Sequence, residues 1–326
     1  MKILRTIAPF LLCVCIIAST PFAYKKTSKK SSFPNSTPTH KMILTLWNID
    51  LFEGGTWSRT EFLSKVATTY SSNGVLIMVV SHTLESAQKM IDGGVLPDMI
   101  SFSVGADFVT KYAKKLPKIS FSGGEINGDC FAYPWCAGGY FLISKNQDNQ
   151  PIERLFVSQN QFTMPFGVFY ESQIQAKETV RKNPQDAYVS YLASGKNDCL
   201  IGTQRDIFRL EKRGVEFYAK AFENFSDIVQ YISIFSSGER YGESLDFIKF
   251  LTGEKTQKTL GEIGMVSALF GGSSNANLSQ IDFKKIRFSV SPFSNASIIL
   301  NIIDETWKSN LSFDDFSKFK SVLKRL

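Results

Sequence analysis

Between residues 41 and 102 the apolar positions gather into three short runs, Lys41–Trp47, Val75–Val80 and Met99–Phe102. The first alternates toward β-branched and aromatic residues. The second is continuous, as a strand covered on both faces should be. Gly54-Gly55 breaks the first run, and Ser58-x-x-Glu61 then has the spacing of a capping box, in which serine and glutamate side chains each accept a bond from the other residue's amide. Thr83 opens a second helical stretch that runs to Ile91 and stops at Gly93-Gly94. Strand, helix, strand, helix, strand in this order predicts a parallel sheet with right-handed crossovers.

After Gly123-Gly124 the pattern changes. Cys130–Trp135 and Gly139–Ser144 read as strands around a glycine-rich turn, and Asn183-Pro184 starts a helix through Ala193. Cys199–Ile201 reads as a buried strand that feeds the helix Thr203–Lys212, and Ile228–Phe235 as a strand returning to the first lobe. Two helices follow, Gly242–Leu251 and Glu254–Gly264, and an amphipathic helix spans Phe313–Leu326 behind Ser312. A chain of 326 residues exceeds what one hydrophobic core usually supports, so two α/β lobes are expected. The boundaries place 41–128 with 234–273 in lobe 1, and 129–233 with 274–326 in lobe 2.

The formal charge of +7 first suggests an anionic partner. Six of the 37 basic residues fall within residues 1–40, which hold no acidic residue, so the remaining chain is nearly neutral and the electrostatic case for nucleic acid fails. Lys2 and Arg5 precede an apolar run from Ile7 to Ala18, the build of an export signal over residues 1–23, with an uncleaved anchor as the alternative. Residues 24–40 are polar and basic and read as a surface tether. Cys13 and Cys15 lie within the apolar run but lack the small residues that precede a lipid-modified cysteine. Cys130, Cys136 and Cys199 match no zinc spacing, and the two histidines are His40 and His82, so neither a metal nor another cofactor is expected. A Cys130–Cys136 disulfide and three separate buried thiols are both open readings.

Several motifs then arrive in a characteristic order: Ile43–Trp47, Pro97–Ile100, Pro134–Tyr140 with Ser144-Lys145, Ser194–Ile201, Phe247–Thr252 and Gln257–Met265. Over roughly residues 41–270 the chain resembles the family 1 extracellular solute-binding proteins, the receptors of ABC importers for sugars and related solutes. The resemblance implies a two-lobed, type II periplasmic-binding-protein-like α/β fold, monomeric, whose lobes close on a small solute and present it to importer membrane subunits. It implies no enzyme activity. One departure is Gly202-Thr203-Gln204-Arg205, where the family often has a Gly-x-Trp turn. This suggests a polar or anionic feature in the ligand.

Seven residues are candidates for ligand contact. Trp47 ends the first strand, where its indole can stack on a sugar ring or pack inward. Glu53, beside the glycine turn, can accept from hydroxyls or remain a solvated loop carboxylate, and Trp57 more simply staples onto Phe62. Ser103 follows the third strand. Tyr133 and Trp135 alternate onto one face, toward a cleft or into an aromatic core. Arg205, early in a helix, can hold an anion or a surface salt bridge. Met265 lines the cleft or fills a core gap. The expected ligand is a carbohydrate; a small anionic or amino-acid-like solute anchored by Arg205, and a sensory protein reporting to a membrane partner, are the rivals.

Overall fold

The computed structural model describes residues 42–52, 58–70, 74–118, 123–147, 151–168, 174–223, 225–270, 273, 275–282 and 288–308. The export signal expected at 1–23, the tether expected at 24–40, Glu53, Trp57 and the helix expected at 313–326 lie outside them. β1 (Met42–Ile49), α1 (Arg59–Tyr70), β2 (Val75–His82), α2 (Leu84–Asp92) and β3 (Met99–Phe102) follow in the expected order. β1 pairs in parallel with both β2 and β3, so that Leu46 faces Val79 on one side and Met99 on the other. Its two faces enter separate apolar clusters: Leu44 and Leu46 pack with α1, while Trp47 and Ile49 pack with Ala87 and Ile91 of α2. A strand covered on both faces needs apolar residues in succession, which is why β1 and β3 read as runs.

A small hairpin, β4 (Glu125–Ile126) and β5 (Asp129–Cys130), precedes β6 (Tyr133–Ala137). Next come β7 (Tyr140–Ser144), β8 (Ile152–Ser158), β9 (Ala176–Lys182), α3 (Pro184–Leu192), β10 (Cys199–Thr203), α4 (Gln204–Lys212) and β11 (Tyr218–Ala221). β12 (Phe225–Ser226) and β13 (Val229–Ile234) lead back, followed by α5 (Glu239–Thr252), α6 (Glu254–Gln257), β14 (Phe288–Ser289) and α7 (Ala296–Lys308). The first sheet has the order β2-β1-β3-β13-β6 and the second β11-β7-β10-β8-β9.

Both β6 and β13 therefore belong to the first sheet, whereas the sequence boundaries assign 129–233 to the second lobe. The change of sheet falls at Gly138-Gly139 and near Ile228. Gly123-Gly124 suggested the earlier boundary, but it serves a close approach: a Cβ at Gly124 would lie 2.0 Å from the Ala132 carbonyl oxygen. The helix starts expected at Thr83 and Asn183 are capped by those residues, whereas the cap expected at Ser312 lies outside the described residues. Asn183 accepts from the Asp186 amide at 3.0 Å to open α3, with Pro184 in the first turn, and Thr203 and Asp206 form a capping box on α4. Cys130, Cys136 and Cys199 are separate buried thiols, which removes the disulfide reading. Burial pushes the Cys136 thiol up to about 12.

The crossing segments meet at one place. Gly138 N–H donates to the Ile228 carbonyl at 2.9 Å, and Ala137 exchanges backbone bonds with Val266. Gln204, fully buried at the start of α4, accepts from Gly139 N–H at 3.1 Å and donates to Met265 Sδ at 3.4 Å.

Candidate functional site

The carboxyl ends of β1, β2 and β3 open onto a cavity of about 950 Å³. Ligands of open α/β sheets collect in such crevices, because the loops leave the strand ends there and helix N-termini point the same way. After β1 come Asp50, Leu51 and Phe52; the β2–α2 turn supplies Ser81–Glu85 and Gln88; the loop after β3 supplies Gly105, Asp107 and Phe108. The facing wall consists of Asn160–Phe162, directly after β8 of the second sheet, and Asn295–Ser297 at the start of α7.

The walls are fixed from behind. Asp50 forms an ion pair with the buried Arg59 at 2.8 Å and accepts from Asn48 Nδ2 at 3.1 Å. The Arg59 guanidinium covers the Phe52 ring at 3.9 Å. This pairing neutralises Asp50 and sets its position. Asp107 accepts from Asn295 Nδ2 at 2.7 Å, and Asn295 also bridges Gly105, whose φ of 107° favours glycine. Beneath the floor, Gln230 Nε2 donates to Asn48 Oδ1, the Ile49 carbonyl and Ser101 Oγ at 3.2, 3.0 and 3.0 Å. This ties β13 to the ends of β1 and β3. Among the described lining residues the carboxylates are Asp50, Glu85 and Asp107, and no Lys or Arg reaches the cavity.

None of the six described candidates lines this cavity. Trp47 lies one layer behind it, buried, with its ring centroid 4.5 Å from that of His82, which does line it. Ser103 is buried two positions before Gly105. Tyr133 is buried and donates to the Pro117 carbonyl, and burial pushes its phenol up to about 12. Trp135 has no exposed surface, donates from Nε1 to Ser101 Oγ at 3.1 Å and stacks on Phe62 at 5.8 Å. Tyr133 and Trp135 take the packed alternative because β6 sits in the first sheet. Arg205 is half-buried in the first turn of α4, and Met265 is buried against Gln204 where the segments cross.

The first and third strand ends were thus located to within a few residues, while the residues facing the cavity lie further along each loop. His82, Asn160–Phe162 and Asn295–Ser297 were missed. Asn295 had a signal: its Oδ1 accepts from Ser297 N–H at 2.9 Å, the use expected of Asn before a helix.

No family model matches the chain, and no curated protein matches it. Many solved structures are similar, among them the following two. The galacto-N-biose/lacto-N-biose I-binding protein of an ABC transporter from Bifidobacterium longum, in complex with lacto-N-biose, aligns with a TM-score of 0.58 at 10% identity, over 86% of this chain and 96% of that one. Iron-bound HitA from Pseudomonas aeruginosa aligns with a TM-score of 0.56 at 14% identity, over 81% and 99%. The fold is that of the type II periplasmic binding proteins. Within that fold the cavity between the strand ends of the first sheet and the β8 loop of the second is the interlobe cleft. One of these two neighbours holds iron and the other lacto-N-biose, so the shared fold does not indicate one ligand class. Among the described residues, no group of three or more His, Cys, Asp or Glu could hold a metal ion.

Proposed function

We propose that this protein is an exported solute-binding receptor that delivers a carbohydrate to the membrane subunits of an ABC importer, without chemical change to the ligand. The observation that carries the reading is the composition of the cleft. Phe52, Phe108 and Phe162 reach the wall with the small uncovered part of rings otherwise packed in the core, an apolar surface for the C–H groups of a sugar, while Asn160, Gln161, Asn295 and Asp107 offer donors and acceptors to hydroxyls. Asp50, Glu85 and Asp107 give the described lining carboxylates and no Lys or Arg, which disfavours a small anion. Arg205, the anchor of the anionic alternative, lies elsewhere, so the lining favours a neutral polyhydroxylated solute.

Thermal denaturation with a panel of mono- and disaccharides, citrate, phosphate and amino acids tests this. A saccharide present at a hundred times its dissociation constant adds about 2.7 kcal/mol of stability. A flat response to every saccharide, with a clear rise from an anion, would overturn the carbohydrate assignment.

A further inference from the structure

His82 is the last residue of β2, and three neighbours hold its ring. Its backbone pairs with Ile49 in the β1–β2 register, which fixes where the side chain leaves the sheet. The indole of Trp47, buried on β1, lies against the ring at a centroid distance of 4.5 Å and an interplanar angle of 49°. Nδ1 lies 3.2 Å from Ser86 Oγ, one turn along in α2, whose N-cap Thr83 accepts from the Ser86 amide at 3.1 Å. Strand end, indole and capped helix together confine a half-buried ring at the wall of the cleft. A side chain already confined loses little rotamer entropy when a ligand arrives, so its hydrogen bond contributes more to affinity than that of an exposed residue such as Glu85 or Gln161.

We propose that His82 is a ligand-contacting side chain of the cleft and that Trp47 is its positioning residue, acting on the solute through the imidazole. The proposal rests on the receptor reading above and narrows it: one solute hydroxyl bonds to the imidazole. Burial lowers the ring's pKa from its usual value near 6.5, so the ring is uncharged at neutral pH. The charged groups that share the cavity are Asp50, already paired with Arg59, and Glu85 and Asp107. With its proton on Nδ1 and donated to Ser86 Oγ, the uncharged imidazole leaves Nε2 to accept from a solute hydroxyl. Protonation places a cation in the wall and turns both nitrogens into donors. Affinity for a neutral solute is therefore complete above the ordinary histidine range and falls as pH drops through the lowered value.

The two histidines make the test direct. The full chain, labelled with ¹³C and ¹⁵N at histidine, gives two ring signals, and His82→Gln assigns them. Without any solute, the His82 signal should lie upfield because of the Trp47 ring, should move back in Trp47→Phe and should titrate below 6.5. Titration above 6.5, or no response to Trp47→Phe, overturns the proposal. Glucose, galactose, maltose and lacto-N-biose are then added in turn. The saccharide that raises the melting temperature should move the His82 signal, bind at least tenfold more weakly to His82→Ala than to wild type, and recover part of that loss in His82→Gln. Its affinity should fall between pH 7 and pH 5 in wild type and stay flat in His82→Gln. A saccharide that raises the melting temperature while leaving the His82 signal in place overturns this proposal and leaves the receptor reading intact. If citrate or an amino acid moves the signal and no saccharide does, His82 is a contact and the carbohydrate assignment falls. Should nothing in the panel raise the melting temperature or move either signal, both fall together.

Discussion

Trp135 donates its indole N–H to Ser101 Oγ, and its ring lies on Phe62 with no exposed surface. Trp135→Ala would leave a void among apolar side chains, at a cost of about 3–5 kcal/mol. Urea unfolding should show that loss, whereas Gln161→Ala, an exposed residue at the cavity wall, should lower solute affinity with little change in stability. A second residue-scale effect comes from Asp227. It is buried on the segment before β13, accepts from Tyr140 Oη at 2.7 Å and from the Met164 amide at 2.5 Å, and burial raises its pKa to about 6. The unfolded chain titrates near 3.9. Stability associated with this group is therefore complete below that value and is lost as pH rises through about 6, a change of about 3 kcal/mol at most. Unfolding free energies of wild type minus Asp227→Asn should decline between pH 4 and pH 6, and a flat difference would show that the carboxyl titrates normally.

At the scale of elements, α7 fastens both lobes. Its first turn is held by Asn295 to Asp107 and Gly105 of the first, while near its end Trp307 donates to Gln159 Oε1 at 3.2 Å and meets Phe166 of the second edge-on. Trp307→Phe keeps a ring and removes the indole donor to a buried acceptor, so a loss of about 1–3 kcal/mol is expected in chemical unfolding. The sequence exposed some of these elements and hid others for physical reasons. β1, β2 and β3 were legible because parallel strands carry dense apolar runs, and α3 because Asn183-Pro184 marks its start. β9 was not: Ala176–Lys182 is an edge strand with four exposed or half-exposed charged side chains, and no apolar run announces it. With β8 also unread, the loop Asn160–Phe162 had no place, and half of the cleft stayed invisible. Trp135 and Tyr133 looked like cleft residues because sheet membership, which decides the direction of a side chain, depends on pairing with β13 a hundred residues away.

For the whole molecule, two of the crossing segments and the start of α4 share one buried amide. Gln204 accepts from Gly139 N–H and donates to Met265 Sδ, and a Cβ at Gly138 would lie 2.3 Å from its Oε1. An amide at the end of a long side chain could ordinarily step aside. Here it is fully buried and bonded in two directions, so Gly138→Ala must either displace those bonds or separate the segments. The expected cost is about 1–3 kcal/mol, as for other overpacked interiors. Because the strain falls where the chain passes between the sheets, it should also alter the lobe angle, seen as a change in radius of gyration by small-angle scattering without solute. Gln204→Ala alone would lose the same bonds but create space. Combining the two substitutions should therefore restore part of the stability lost by Gly138→Ala, with a coupling of at least about 0.5 kcal/mol, the lower end for residues in contact. If the two losses simply add, Gln204 does not occupy the space that the absent Cβ leaves, and the crossing is held by its backbone bonds alone.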